Sequence, residues 1–86
     1  MKNFTYDRVA DAAYFRLKDT KVVDSETISP GVILDYDDND DVVGIEILSV
    51  RKRTPEELKN INYPLKADDE QSFHELLGTF SPATVA

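Results

Sequence analysis

Apolar and polar residues alternate along the first fifty positions of this chain, and a helical spacing replaces that alternation afterwards. Successive side chains of a strand point to opposite faces, so period-2 alternation predicts half-buried strands. Phe4 and Tyr6 fall on one side of a short opening strand, and Asp7 to Asp11 is polar and turn-like. From Ala12 to Leu17 the residues Ala13, Phe15 and Leu17 point one way, while Ala12, Tyr14 and Arg16 point the other. Lys18 to Lys21 reads as a turn. Val22 to Ile28 is β-branched but rich in Asp, Ser, Glu and Thr, which predicts an exposed or edge strand. Ser29-Pro30-Gly31 is a strong break.

The best-specified pair comes next. Val32 to Asp37 and Val42 to Val50 flank Asp38-Asn39-Asp40-Asp41. A two-residue loop at Asn39-Asp40 is expected, since Asn and Asp tolerate the positive φ of tight hairpin turns. That loop pairs Tyr36 with Val43, Leu34 with Ile45 and Val32 with Ile47, all on one face. A slip of one residue would scramble the match. Beyond Val50, Thr54-Pro55-Glu56-Glu57 places Thr at N-cap, Pro at N1 and Glu at N3, the start of a short helix ending near Asn60. Asn62-Tyr63-Pro64 reads as a loop. Asp68 or Asp69 is expected to cap a second helix that runs through Leu77 and stops at Gly78. Phe73, Leu76, Leu77 and Phe80 supply its apolar side.

The predicted fold class is α+β: an antiparallel β-meander of four to five strands followed by one or two short C-terminal helices. Residues 1–80 are expected to form a single domain, with 81–86 a frayed tail. The expected core comprises Phe4, Ala13, Phe15, Leu17, Val32, Leu34, Tyr36, Val43, Ile45, Ile47, Leu58 and Phe73.

Composition narrows the function classes. A chain of 86 residues has room for one core and buries only about 60–65% of its unfolded surface. It has no cysteine, hence no disulfide framework and no thiolate metal site. Self-association is then the natural extra source of stability, and a homo-oligomer is expected. Ten basic against seventeen acidic residues give a net charge of −7. That field repels phosphate backbones and attracts a basic protein partner, so no nucleic-acid role is expected. The apolar run Gly31-Val32-Ile33-Leu34 is far shorter than the roughly 20 residues that cross a bilayer. The opening MKNFTYD has no signal-peptide character. No membrane partner and a cytoplasmic location are therefore expected.

Four segments carry a family likeness. Tyr6-Asp7, Ala10 to Leu17, Gly31 to Asp37 and Val43 to Leu48 resemble, in order and spacing, the bacterial family catalogued as domain of unknown function 2283. The likeness spans about residues 4–50. It implies the fold and a bacterial context but brings no settled activity. Some relatives are similar to neighbours of small toxin-like ribonucleases, which implies an antitoxin-like neutraliser as an alternative function. The turn Asp38-Asn39-Asp40-Asp41 departs from the Asp-Gly type of turn common in relatives. From Ile61 onward nothing matches the family pattern.

The acidic hairpin is the most tempting chemistry. Asp35, Asp37 and Asn39 at positions 1, 3 and 5, with Glu46 at position 12, imitate a calcium loop. Position 6 is Asp40 where the turn wants Gly, and the flanks are strands rather than helices. A solvated hairpin tip is the better account, and no metal site or cofactor is expected. A metal-dependent protein using Asp35, Asp37 and Glu46 stays as a second alternative. Asp35 and Glu46 are also diagonal neighbours, the arrangement of an acid and a base. Outward charges answered by Arg16 or Arg51 explain them better, because nothing signals a pocket that excludes water. No enzyme is expected. His74 is the only histidine, and a lone imidazole makes a poor metal site. Arg51-Lys52-Arg53 is too short for a nucleic-acid footprint.

The same outward face is not wholly polar. Alternation places Ile33, Val42 and Leu48 with Asp35 and Glu46, and these five are the expected partner-binding residues. A sheet with apolar residues on both sides needs cover on both sides. Either the two helices supply it, or a second copy or a different protein does.

Overall fold

Alternation translates directly into strands in the computed structural model, which describes residues 3–80. The strands are β1 (Asn3–Asp7), β2 (Ala12–Arg16), β3 (Asp24–Ser29), β4 (Val32–Tyr36) and β5 (Val42–Leu48). A single 3-10 turn at Val50–Lys52 leads to α1 (Pro55–Asn60) and α2 (Ala67–Thr79). The strands form one antiparallel sheet in the order β1-β2-β5-β4-β3. The chain is thus α+β, with β1 and β3 as its edges. The tail expected at 81–86 lies outside the described residues. Among the described residues, no helix is long and apolar enough to cross a membrane.

The β4–β5 hairpin follows the expected register from Asp35 inward, with Leu34 opposite Ile45 and Val32 opposite Ile47. Its tip differs. The Asp37 amide donates to the Asp41 carbonyl (3.0 Å) and the Asp40 amide to the Asp37 carbonyl (3.1 Å), enclosing the three-residue loop Asp38-Asn39-Asp40. Asp40 takes the left-handed conformation (φ 60°), which closes loops of this length. A three-residue loop shifts the pairing by one residue relative to a two-residue loop. An irregularity beside Asp35 and Tyr36 absorbs the shift, so Tyr36 faces Val42 rather than Val43. Val42 consequently turns into the core, where it is 5% exposed. It does not stand on the outward face where strict alternation puts it.

Both helices cover the same side of the sheet. Ala13, Phe15, Val32, Leu34, Ile45 and Ile47 pack against Leu58, Tyr63, Phe73, Leu77 and Phe80. Phe15 meets Phe73 and Phe80 edge-on at centroid separations of 5.2 and 5.6 Å. Tyr63 sits edge-on to Phe73 at 4.6 Å and donates its hydroxyl to the Leu58 carbonyl (2.8 Å). The loop expected at Asn62-Tyr63-Pro64 therefore contributes Tyr63 to the core, while Asn62 and Pro64 are exposed. All twelve expected core residues are buried or packed against the core; Val43, beside the bulge, is fully buried but lies outside the main cluster.

The helix ends obey two different rules. Thr54 caps α1 by accepting the Glu57 amide (3.2 Å), as its sequence signature predicts. The second helix starts earlier than an aspartate cap would allow. Lys66 occupies its N-cap without a side-chain bond, and Asp68 and Asp69 fall in the first turn. Carboxylates there complement the helix dipole without capping. Gly78 does not stop the helix, which continues to Thr79. The aromatic anchor Phe80, 3% exposed, holds the chain on the sheet at that point.

Candidate functional site

The outward face of the sheet is built in cross-strand rows. Thr5, Tyr14, Glu46, Ile33 and Thr27 form one row from β1 to β3. Asn3, Arg16, Gly44, Asp35 and Ser25 form the next. Ala12 and Leu48 face one another beside them. Four of the five expected partner-binding residues, Ile33, Asp35, Glu46 and Leu48, share this face. Val42 alone has left it, for the reason given above. Leu48 is 37% exposed, and Ile33 is half-buried between its neighbours.

Asp35 is the polar centre of the face. The Tyr14 hydroxyl donates to its Oδ2 (2.9 Å) and the Ser25 hydroxyl to its Oδ1 (2.6 Å). Arg16 and Arg51 were the expected counter-charges, but neither reaches it. Arg16 pairs with Asp19 (3.5 Å), and Arg51 lies 3.8 Å from Asp11. Tyr14 reaches Asp35 by lying flat across Gly44, where a Cβ would run into the phenol. An isolated glycine inside an alternating strand is the sequence sign of such a close approach. Burial pushes the Tyr14 phenol up to about 12, with the Asp35 hydrogen bond and nearby carboxylate charge adding to it. Gly44→Ala is therefore expected to lift Tyr14 off Asp35. Spectrophotometric titration checks this. In the parent, Tyr14 and Tyr63 ionise near 12; in the variant, one of the two returns toward 10.

The acidic tip does not assemble as a ligand shell. Asp37, 2% exposed, spends its oxygens inside the protein. Its Oδ1 accepts the Asn39 and Asp41 amides (2.9 and 3.1 Å) and its Oδ2 the Thr20 hydroxyl (2.8 Å). Asp41 holds Lys18 (3.1 Å) and Lys66 (3.0 Å), tying the β2–β3 loop and the start of α2 to the hairpin. Asp35 faces Tyr14 and Ser25, and Glu46 lies on the fourth rung of the ladder from the tip, two rungs beyond Asp35. Among the described residues, no three carboxylates or imidazoles gather as a metal-holding group. Millimolar calcium or manganese is accordingly expected to leave the melting temperature unchanged; a rise of several degrees would show a binding site the geometry does not provide.

These carboxylates give the fold an acid limit. The Thr20 hydroxyl and the backbone amides hold Asp37 below the ordinary carboxylate value, and the two lysines, Lys66 foremost, do the same for Asp41. A depressed folded-state value means the unfolded chain binds the proton more readily. Their stabilisation is complete above roughly pH 4 and is lost as pH falls through the folded-state values. Melting curves from pH 7 to pH 2 should show a drop confined to the acid end. In Asp41→Asn that drop should be shallower.

His74 is exposed on α2, over a shallow open depression lined by Glu70, Gln71 and Glu75. Two residues of the basic run at 51–53, Arg51 and Arg53, hold neighbouring turns. Arg53 donates Nε to the Leu48 carbonyl (2.8 Å) and a terminal nitrogen to the Pro30 carbonyl (2.6 Å). That clamp fastens the β3–β4 turn to the end of β5. The Arg51 amide and the Tyr6 hydroxyl both bond Asp11, which fixes the β1–β2 turn in the same way.

The family model described as protein of unknown function (DUF2283) matches residues 3–51. The match takes in all five strands and ends within the 3-10 turn. The chain belongs to this family. No curated protein and no solved structure matches it. The DUF2283 match covers the sheet and both of its faces, including Tyr14, Gly44 and Asp35. It stops before α1 and α2, which in this chain supply the cover of the apolar face.

Proposed function

We propose that this DUF2283 protein is a non-catalytic interaction module that associates with itself. The observation that carries the reading is one-sided cover. Both helices lie on the Phe15 face, while among the described residues no element covers the Asp35 face or pairs with the outer side of either edge strand. A domain of 86 residues gains stability most readily by burying such surface against another copy. Two facts speak against chemistry at the same face. Both Asp35 oxygens already accept hydroxyls, and Glu46 is half-buried on the sheet surface, where none of the described elements encloses it. The net charge of −7 sets the character of any further partner as basic.

Solution mass tests the reading. Sedimentation from about 10 μM to about 1 mM should show the weight-average mass rising from 9.7 kDa toward twice that value. A constant 9.7 kDa across the range contradicts it.

A further inference from the structure

The two edges of the sheet differ in how they are protected. An edge strand presents unpaired backbone amides and carbonyls, and proteins blunt such edges with charges, proline and bulges. Strand β3 carries all three devices. Asp24 and Glu26 stand on it, Pro30 follows it, and its register breaks between Thr27 and Ser29. Strand β1 carries no proline and no bulge, and its single charge stands at its last residue. Asn3-Phe4-Thr5-Tyr6 is uncharged, its pairing with β2 is regular, and its one carboxylate, Asp7, is turned to the Val9 and Ala10 amides of the adjoining turn.

The aromatic margin of the core ends at the same place. Phe4 and Tyr6 are only partly buried. Each packs on one side against Phe80, at 5.4 and 5.6 Å. Nothing described lies beyond them in the sheet.

We infer that β1 is the self-association edge, pairing antiparallel with β1 of a second copy about a two-fold axis at Thr5. This rests on the self-association reading above and names its surface. The register follows from the strand itself. Centring on Thr5 sets Asn3 against Asp7 and Phe4 against Tyr6, so all five residues pair and no two carboxylates meet. It also keeps both helical layers on one side, because directly opposed residues of a ladder share a face. The row Phe15, Phe4, Phe80 then continues into the Tyr6 and Phe4 of the second copy. The result is a continuous ten-stranded sheet, at the upper end of what twisted sheets adopt. A five-residue edge is small beside the roughly 800 Å² per partner of a standard stable interface, so the association is of the transient, concentration-dependent kind.

The absence of cysteine makes the test direct. Directly opposed residues of an antiparallel pair hold their Cβ atoms about 4.5–5.5 Å apart, close enough for a disulfide after slight adjustment. Thr5→Cys on β1 and Thr27→Cys on β3 both replace exposed threonines, and circular dichroism confirms that each variant folds. Under mild oxidation at about 100 μM, Thr5→Cys is expected to form covalent dimer at least several-fold faster than Thr27→Cys. If the parent protein sediments as a dimer while Thr5→Cys crosslinks no faster than Thr27→Cys, the β1 assignment is overturned and self-association stands. If the parent stays at 9.7 kDa throughout, both are overturned.

Discussion

Phe73→Ala is expected to remove about 3–5 kcal/mol of stability, a large share of what a domain of this size has. Phe73 is fully buried, edge-on to Phe15 of the sheet and to Tyr63 of the connecting loop. Truncating a buried phenylalanine costs about 3–5 kcal/mol, the lost transfer energy plus the cavity left behind. A domain of this length has roughly 4–13 kcal/mol in total. At the lower end of that range the variant has nothing left. The ring joins sheet, loop and α2 in a single contact set. Urea unfolding followed by circular dichroism measures the effect. A loss below about 1 kcal/mol would mean that α2 does not cover the sheet as described.

The second large effect distinguishes the bulge from strict alternation. Val42→Asp is expected to destabilise by about 3 kcal/mol or more, because it buries a carboxylate with no partner in the core cluster. Leu48→Asp, on the outward face and 37% exposed, is expected to cost under about 1 kcal/mol. Strict alternation puts both residues on the outward face and predicts two mild substitutions. The bulged hairpin predicts one severe and one mild. Equal, mild losses in urea melts would return Val42 to the outer face and remove the bulge.

That contrast marks how far the fold was legible from sequence. The pairing of Val32 and Leu34 with Ile47 and Ile45 was readable because alternating aliphatics on both strands admit one register. The tip was not, because Asn39 and Asp40 suit both a two-residue and a three-residue loop. The choice lies with the Asp37 carboxylate, which gathers two amides and a hydroxyl from another loop. Such a tertiary bond leaves no periodic trace. Thr54 was readable as a cap because the capping residues are adjacent in sequence. Tyr63 was not readable as core, since its cover comes from Phe73 and Leu58 at other heights of the fold.

The candidate site was legible to a similar extent. Placing Asp35, Glu46, Ile33 and Leu48 on one face needs only alternation. The partners of Asp35 were beyond it. Charge matching pointed to Arg16, which shares a row with Asp35 but turns to Asp19. The hydroxyls of Tyr14 and Ser25 take its place, and Gly44 is what lets Tyr14 through. The family match ends where the sheet ends, so the helical cover is specified by residues outside that shared stretch.

Methyl NMR in the presence of a soluble paramagnetic agent addresses the one-sided sheet most directly. At low protein concentration the methyl groups of Leu48 and Ile33 should broaden, Leu48 the more strongly. Those of Leu34, Val42, Ile45 and Ile47, all at most 5% exposed, should stay sharp. Comparable protection of Leu48 and Ile45, or broadening of Val42 to match Leu48, would contradict a sheet covered by its helices on one face and bare on the other.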